Sequence, residues 1–158
     1  MLKTYTLRRE MIVSSPVDEV FAFFERPENL AKITPDSLGF DILTPSPVAM
    51  GVGTVIDYTI KVLGLRRHWT TLITEYDPPH KFVDIQLKGP YTFWHHTHTF
   101  EAADRGTRIT DEVRYIVPFG PLGRIANAVI VRRQLERIFT YRTAVIENLF
   151  SSPAKSGS

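Results

Sequence analysis

The chain has no cysteine among its 158 residues. That excludes a disulfide scaffold, a thiolate metal site and a cysteine nucleophile, and it fits a reducing compartment. No apolar run approaches the ~20 residues that a membrane-spanning helix needs. The net charge is only +2 with histidine neutral. Basic pairs occur at Arg8-Arg9, Arg66-Arg67 and Arg132-Arg133, scattered along the chain. So weak an excess gives no case for a nucleic-acid partner. The first ten residues, MLKTYTLRRE, alternate and carry charge, unlike a signal peptide. A cytoplasmic location is the expectation. Phosphate loops are missing as well, because Gly51-Val52-Gly53 reads as a turn with no helix after it. There is no HExxH pair and no G-x-S-x-G elbow, and Ser14-Ser15 reads as a helix cap rather than a nucleophile.

What remains is an ordinary globular composition, 43% hydrophobic and 23% charged. The length suits one domain, expected over 1–150, with the small polar run SSPAKSGS at 151–158 as a disordered tail. The longest feature is the stretch from Pro121 to Phe150, which has no Gly or Pro after Gly123. As a helix it would span roughly 40–45 Å. Ile125, Ala128, Val131, Leu135, Ile138, Val145 and Leu149 recur at helical spacing, and Leu122, Ala126, Val129 and Ile130 form a second row. A one-sided helix of that length needs a cover for its stripe.

The rest reads mostly as strands. Leu2 to Ser14 alternates. Ser15 as N-cap and Pro16 at the first helical position then start a short helix with Val17, Val20, Phe21 and Phe24 inward. A second short helix follows over PENLAKITP. Strands are expected at Leu38–Leu43, Thr54–Leu63, Arg66–Tyr76, Lys81–Lys88, Tyr91–Ala102 and Thr107–Val117, separated by Gly- and Pro-rich turns. Strand, two short helices, six strands and a long helix make an α+β fold: a curved, seven-stranded antiparallel sheet around the C-terminal helix.

Three stretches carry a family resemblance: SSPVDEVFAFFERPENLAKITP, GLRRHWTTLITEYDPPHKFVDIQLKGPYTFWHHTHTFEA and GTRITDEVRYIVPFGPLG. Together they resemble the START-like (SRPBCC) superfamily, the helix-grip fold of the birch pollen allergen group and the polyketide aromatase/cyclases. The resemblance covers Leu2 to Phe150. It implies a deep cavity between sheet and helix that holds an apolar small molecule. It is specific for fold and weak for function, since binders, transporters, cyclases and hydratases share that scaffold.

The strand with three histidines bears on chemistry. Period two puts Trp94, His96, His98 and Phe100 on one face, taken as inward, and Phe93, His95, Thr97 and Thr99 on the other. His96 and His98 then stand roughly 6.5–7 Å apart at their Cα atoms. Either they are acid/base groups and ligand anchors, or they are neutral core histidines satisfied by neighbours. Asp111, sharing a face with Ile109, Val113 and Tyr115, is the first candidate partner, with Glu75 and Asp57 as others. His-x-His with a carboxylate is also a metal pattern, but only two histidines share a face, and neither a metal nor another cofactor is expected. Arg133 and Arg142 border the helix stripe, as a solvated face or as a carboxylate clamp. Tyr58, Trp69, Tyr115 and Tyr141 read as core or cavity wall.

The expected cavity lining is Phe24, Leu30, Tyr58, Trp69, Trp94, His96, His98, Phe100, Tyr115, Ile138 and Arg142, around a space of roughly 300–1,000 Å³. The loop Gly39–Gly53 is the expected mouth, and Val117–Pro121 is an apolar lid or a dimerisation patch. The leading functional reading is a binder of a hydrophobic, cyclic molecule of lipid, steroid or polyketide type. The alternative is a cyclase or dehydratase with His96, His98 and Asp111 as catalytic candidates. A third reading is an interaction module that presents its apolar loop.

Overall fold

Strict alternation in the late strands builds the concave wall of the molecule. The computed structural model describes residues 2–150, so the tail expected at 151–158 lies outside the described residues. In β6 (Phe93–Ala103) the buried positions are Trp94, His96, His98 and Phe100, and in β7 (Gly106–Ile116) they are Thr107, Ile109, Asp111, Val113 and Tyr115. The period-two pleat puts both sets on one face. The remaining strands are β1 (Tyr5–Val13), β2 (Asp41–Ile42), β3 (Val55–Val62), β4 (Leu65–Asp77) and β5 (Lys81–Lys88).

The seven strands form one antiparallel sheet in the order β1-β7-β6-β5-β4-β3-β2. Register shifts between Thr70 and Thr71 and between Ile73 and Glu75 bend the middle of the sheet. Helix α1 (Val17–Phe24) packs Val20 and Phe21 into one end of the concave face. The C-terminal helix fills the rest as α2 (Gly120–Ala126), a π turn (Asn127–Val131) and α3 (Arg132–Phe150). The expected α+β helix-grip architecture is therefore present.

Local expectations needed correction. PENLAKITP forms a 3-10 segment, Pro27–Ile33, rather than an α-helix. The strand expected at Leu38–Leu43 shrinks to Asp41–Ile42 after a 3-10 turn at Asp36–Leu38. Ser15 does not cap α1. Its hydroxyl donates to the Phe150 carbonyl at 3.1 Å, tying the end of α3 to the start of α1, and Pro16 takes the cap position.

The inward edge of the C-terminal helix also differs from the apolar count. Leu122, Ile125, Ala128, Val129, Ile130 and Leu149 face outward. The buried positions are Gly123, Asn127, Leu135, Phe139 and Ile146. A Cβ at residue 123 would lie 2.0 Å from the Pro118 carbonyl oxygen, so only glycine fits there. Asn127 Oδ1 accepts a 2.8 Å hydrogen bond from the Tyr115 hydroxyl. These two contacts set the rotation of α2, and the wider π turn shifts the phase before α3 begins.

Two hydrophobic clusters flank the middle of the concave face. One gathers Val13, Phe21, Phe82, Phe100 and Ile146 with their neighbours, and the other gathers Leu7, Trp69, Trp94, Tyr115 and Phe139. His96 and His98 lie on β6 between Trp94 and Phe100, and thus between the clusters.

Candidate functional site

The sheet register sets four polar side chains side by side. Asp84 of β5 stands opposite His96, and Asp111 of β7 stands opposite His98. The shortest contacts run diagonally. His96 Nε2 lies 2.8 Å from Asp111 Oδ1, and His98 Nε2 lies 2.6 Å from Asp84 Oδ2. The imidazole rings stack with centroids 3.7 Å apart and planes 25° apart. Phe82 covers the far side of His98 at a centroid distance of 4.0 Å.

This network assigns the protons. An ionised carboxylate only accepts, so both Nε2 atoms donate. His98 Nδ1 also faces a carboxylate oxygen, Asp111 Oδ1 at 3.3 Å, which makes His98 an imidazolium held between two anions. His96 Nδ1 is 3.8 Å from Asp84 Oδ2, too far for a hydrogen bond, and is left as a lone pair. Two stacked imidazolium rings would repel, so the neutral form of His96 completes a consistent set.

The electrostatic directions agree. Burial and the neighbouring His98 charge push His96 below its ordinary value, with the Asp111 hydrogen bond only partly offsetting them. Burial works against the charge of His98 too, but hydrogen bonds to Asp111 and Asp84 outweigh it and raise the group. Burial also opposes ionisation of Asp111, yet the hydrogen bonds from both histidines and the charge of His98 hold its carboxyl well below the usual range. For Asp84 the same opposition is overcome by the His98 hydrogen bond and by the charges of His98 and Arg142. Burial lowers Arg142, while Asp111 and Asp84 counter it. A guanidinium remains charged in any case.

A cavity of about 170 Å³ opens against this wall. That is below the volume expected from the sequence. The bulky rings of Trp69, Trp94, Phe139 and Tyr91 occupy space that an open bowl would leave free. Asp84, His96, His98, Arg142, Tyr58 and Thr71 form one polar side, Arg26, Asn29, Thr34, Lys61 and Gln134 contribute polar groups elsewhere, and the remaining lining residues are apolar or aromatic. Two buried donors on this lining have no partner: Arg142 Nε and Trp69 Nε1. A buried donor without an acceptor is costly, so such a site favours a guest that supplies an oxygen.

Of the residues expected to line a cavity, Phe24, Leu30, Tyr58, Trp69, Trp94, His96, His98, Ile138 and Arg142 do so. Phe100 and Tyr115 share their face but not the cavity. Phe100 is 0% exposed and packs against Phe21, Phe24 and Phe82. Tyr115 stacks on Tyr5 and donates to Asn127. Asp111 stands behind the histidines rather than on the lining. Glu75 and Asp57 are on the outside, paired with Lys81 and His68. Arg133 and Tyr141 are exposed. Phe40 and Met50 bring the loop expected as the mouth into the lining.

Asp84 was not among the partners expected from the sequence. Its signal was the alternation Phe82, Asp84, Gln86 in β5, which carries the carboxylate to the same face as Phe82. Asp84, His96 and His98 also bring ligand-type atoms within 4.8 Å of one another. A cation there would have to displace the proton that His98 holds between two carboxylates, beside the Arg142 charge.

Among the described residues no helix is long and apolar enough to cross a membrane. Residues 4–149 match the family model described as polyketide cyclase / dehydrase and lipid transport. No curated protein sequence matches the chain. Among solved structures, a protein from Thermus thermophilus is similar with a TM-score of 0.73 and 15% identity, covering 91% of this chain and 95% of that one. Ginseng major latex-like protein 151 from Panax ginseng aligns with a TM-score of 0.66 and 15% identity, over 96% of this chain and 100% of that one. A norcoclaurine synthase point mutant from Thalictrum flavum, in complex with a transition state analogue, aligns with a TM-score of 0.65 and 17% identity, over 94% of this chain and 98% of that one. At these identities the likeness is one of fold.

Proposed function

Because this chain belongs to the polyketide cyclase/dehydrase and lipid transport family, we propose that it binds a small hydrophobic, cyclic molecule bearing an acceptor oxygen at one end. The observation that carries this reading is the pair of unpartnered buried donors, Arg142 Nε and Trp69 Nε1, on an otherwise largely apolar lining. A carbonyl, phenol or carboxyl oxygen gives such a donor its acceptor, while the rings of Trp69, Trp94 and Phe139 enclose the apolar body. The volume favours a guest of one or two rings. Larger steroid- or polyketide-like molecules require side chains to move.

Native mass spectrometry of freshly purified protein identifies a retained guest, and titration with that molecule gives its affinity. Trp69→Phe keeps the ring and removes the donor. It is expected to weaken binding about three- to tenfold, the scale of one neutral hydrogen bond, with some loss of stability from the volume removed from the core. Unchanged affinity would remove the tryptophan from the proposed recognition. A cavity that retains no molecule and takes up none offered would sink the reading.

A second reading is favoured by one specific observation: the nearest carboxylate oxygen to His96 Nδ1, on Asp84, is 3.8 Å away, beyond hydrogen-bond distance. In a cyclase or dehydratase, Nδ1 of His96 takes a proton next to a carbonyl, and Arg142 stabilises the resulting enolate oxygen. His96→Gln is then expected to lower turnover of the retained molecule by about 10²–10⁴ with its affinity kept. No turnover by the unaltered protein leaves binding alone.

A further inference from the structure

Strand directions place the tips of the β3–β4 hairpin, the β5–β6 turn and the β7–α2 loop at one end of the sheet. The sequence at this end has an unusual charge pattern. Segments 58–74, 85–100 and 113–135 contain no Asp or Glu. They carry Lys61, Arg66, Arg67, Lys88 and Arg124, all exposed. Several acidic residues lie at the other end, as in Asp18 and Glu19 of α1, Asp77 at the end of β4 and Asp104 after β6. A chain of nearly balanced net charge is thus polarised along its length, and one end is predominantly basic, with Asp36 and Asp41 at its β2 edge as the acidic exceptions.

The same end exposes apolar side chains. Leu63 and Leu65 flank the hairpin tip, and Phe119 and Leu122 project from the start of α2. Two of these stand where the backbone does not favour them. Leu63 has φ 51° and Phe119 has φ 76°, and these are the described non-glycine residues with positive φ. Leu63 and Gly64, φ 78°, both have positive φ and join the paired residues Val62 and Leu65. That two-residue turn favours Asn-Gly. Leu63 is 66% exposed and Phe119 is 81% exposed, so neither gains burial in return.

We propose that this end docks on an anionic membrane surface. Leu63, Leu65, Phe119 and Leu122 enter the interfacial layer, and the surrounding Lys and Arg side chains meet lipid phosphates and carboxylates. Separate protruding tips suit a soft layer that closes around each of them. A second copy of the chain is the poorer occupant, since a symmetric contact would set basic collars against each other. Ile60, Lys61 and Val62 also line the cavity, so an apolar guest leaving the bilayer would meet the cavity at the docked end. The docking itself is independent of the cavity reading, because it is measured without a guest.

The test is co-sedimentation of the full chain with phosphatidylcholine vesicles, with and without phosphatidylserine. The protein is expected to bind the phosphatidylserine vesicles, and more weakly as salt rises. Arg66→Gln with Arg67→Gln should weaken binding about thirty-fold. Leu63→Asn with Phe119→Asn places a residue better suited to each backbone, so thermal stability should hold or rise while vesicle binding is lost. Failure to bind phosphatidylserine vesicles, or undiminished binding by the Asn pair, would overturn the proposal. A solution dimer that the Asn pair dissociates would assign the face to a second copy and overturn it. Equal affinity for duplex DNA, indifferent to the Asn pair, would overturn it as well.

Discussion

Asp111→Asn should destabilise the protein by about 3–5 kcal/mol near neutral pH, the usual cost of leaving a buried charge without its partner. Asp111 accepts from His96 at 2.8 Å and faces His98 at 3.3 Å, and both rings are buried. Asparagine fills nearly the same volume, so packing changes little and the lost charge dominates. The imidazolium of His98 then has one anion where it had two, with the Arg142 charge still nearby. Urea unfolding of the two proteins measures the difference. A cost below about 1 kcal/mol, typical of exposed pairs, would mean that water screens the array. Adding His98→Phe to Asp111→Leu should cost less than the two changes made separately, because the pair removes one charge of each sign and leaves Asp84 with Arg142.

Stability should peak near pH 6.5, the unperturbed value from which the histidines depart in opposite directions. His98 is raised in the folded state. Its contribution is fully present below pH 6.5 and is lost as pH rises through its folded value. His96 is lowered, so its contribution is present above pH 6.5 and is lost as pH falls through its own folded value. Asp84 and Asp111 are lowered from 3.8, so their share is present above that and fails in more acidic solution. The acid side of the dome therefore falls in two stages, histidine first, and the alkaline side falls through His98. Thermal unfolding across pH checks this. His98→Gln should flatten the alkaline limb, and an alkaline limb that stays steep in His98→Gln would refute the assignment of charge to that ring.

The sheet could be read from the chain because its strands obey a simple alternation bounded by Gly and Pro. Trp94, His96, His98 and Phe100 turned inward as their spacing implied, and Asp111 followed from the same rule in the next strand. Asp84 escaped because β5 is short, with a buried Val83 on the opposite parity from Phe82. Its role depends on register against β6, which no local pattern encodes. The helix was legible in extent but not in rotation. Counting apolar residues favoured Ile125 and Ala128, whereas the inward edge is set by Gly123 against the Pro118 carbonyl and by Asn127 beneath Tyr115. A small residue and a polar one defined the buried side, and of the apolar helix residues left outside the docking proposal uses Leu122. Phe100 and Tyr115 show the remaining limit. Pleat parity gives the face of a side chain, but depth along the strand decides whether it meets open space or packed core.

The polar wall is electrically balanced, with two carboxylates against one imidazolium and one guanidinium. That balance has a consequence for what the chamber admits. An anion arriving alone would leave excess negative charge out of reach of water. The spare nitrogen of His96 is the nearest place to lodge a compensating hydrogen ion. On the binding reading proposed above, the chamber is expected to take up acids in their uncharged form, or the anion together with a proton, and uptake is expected to fade as the medium turns basic.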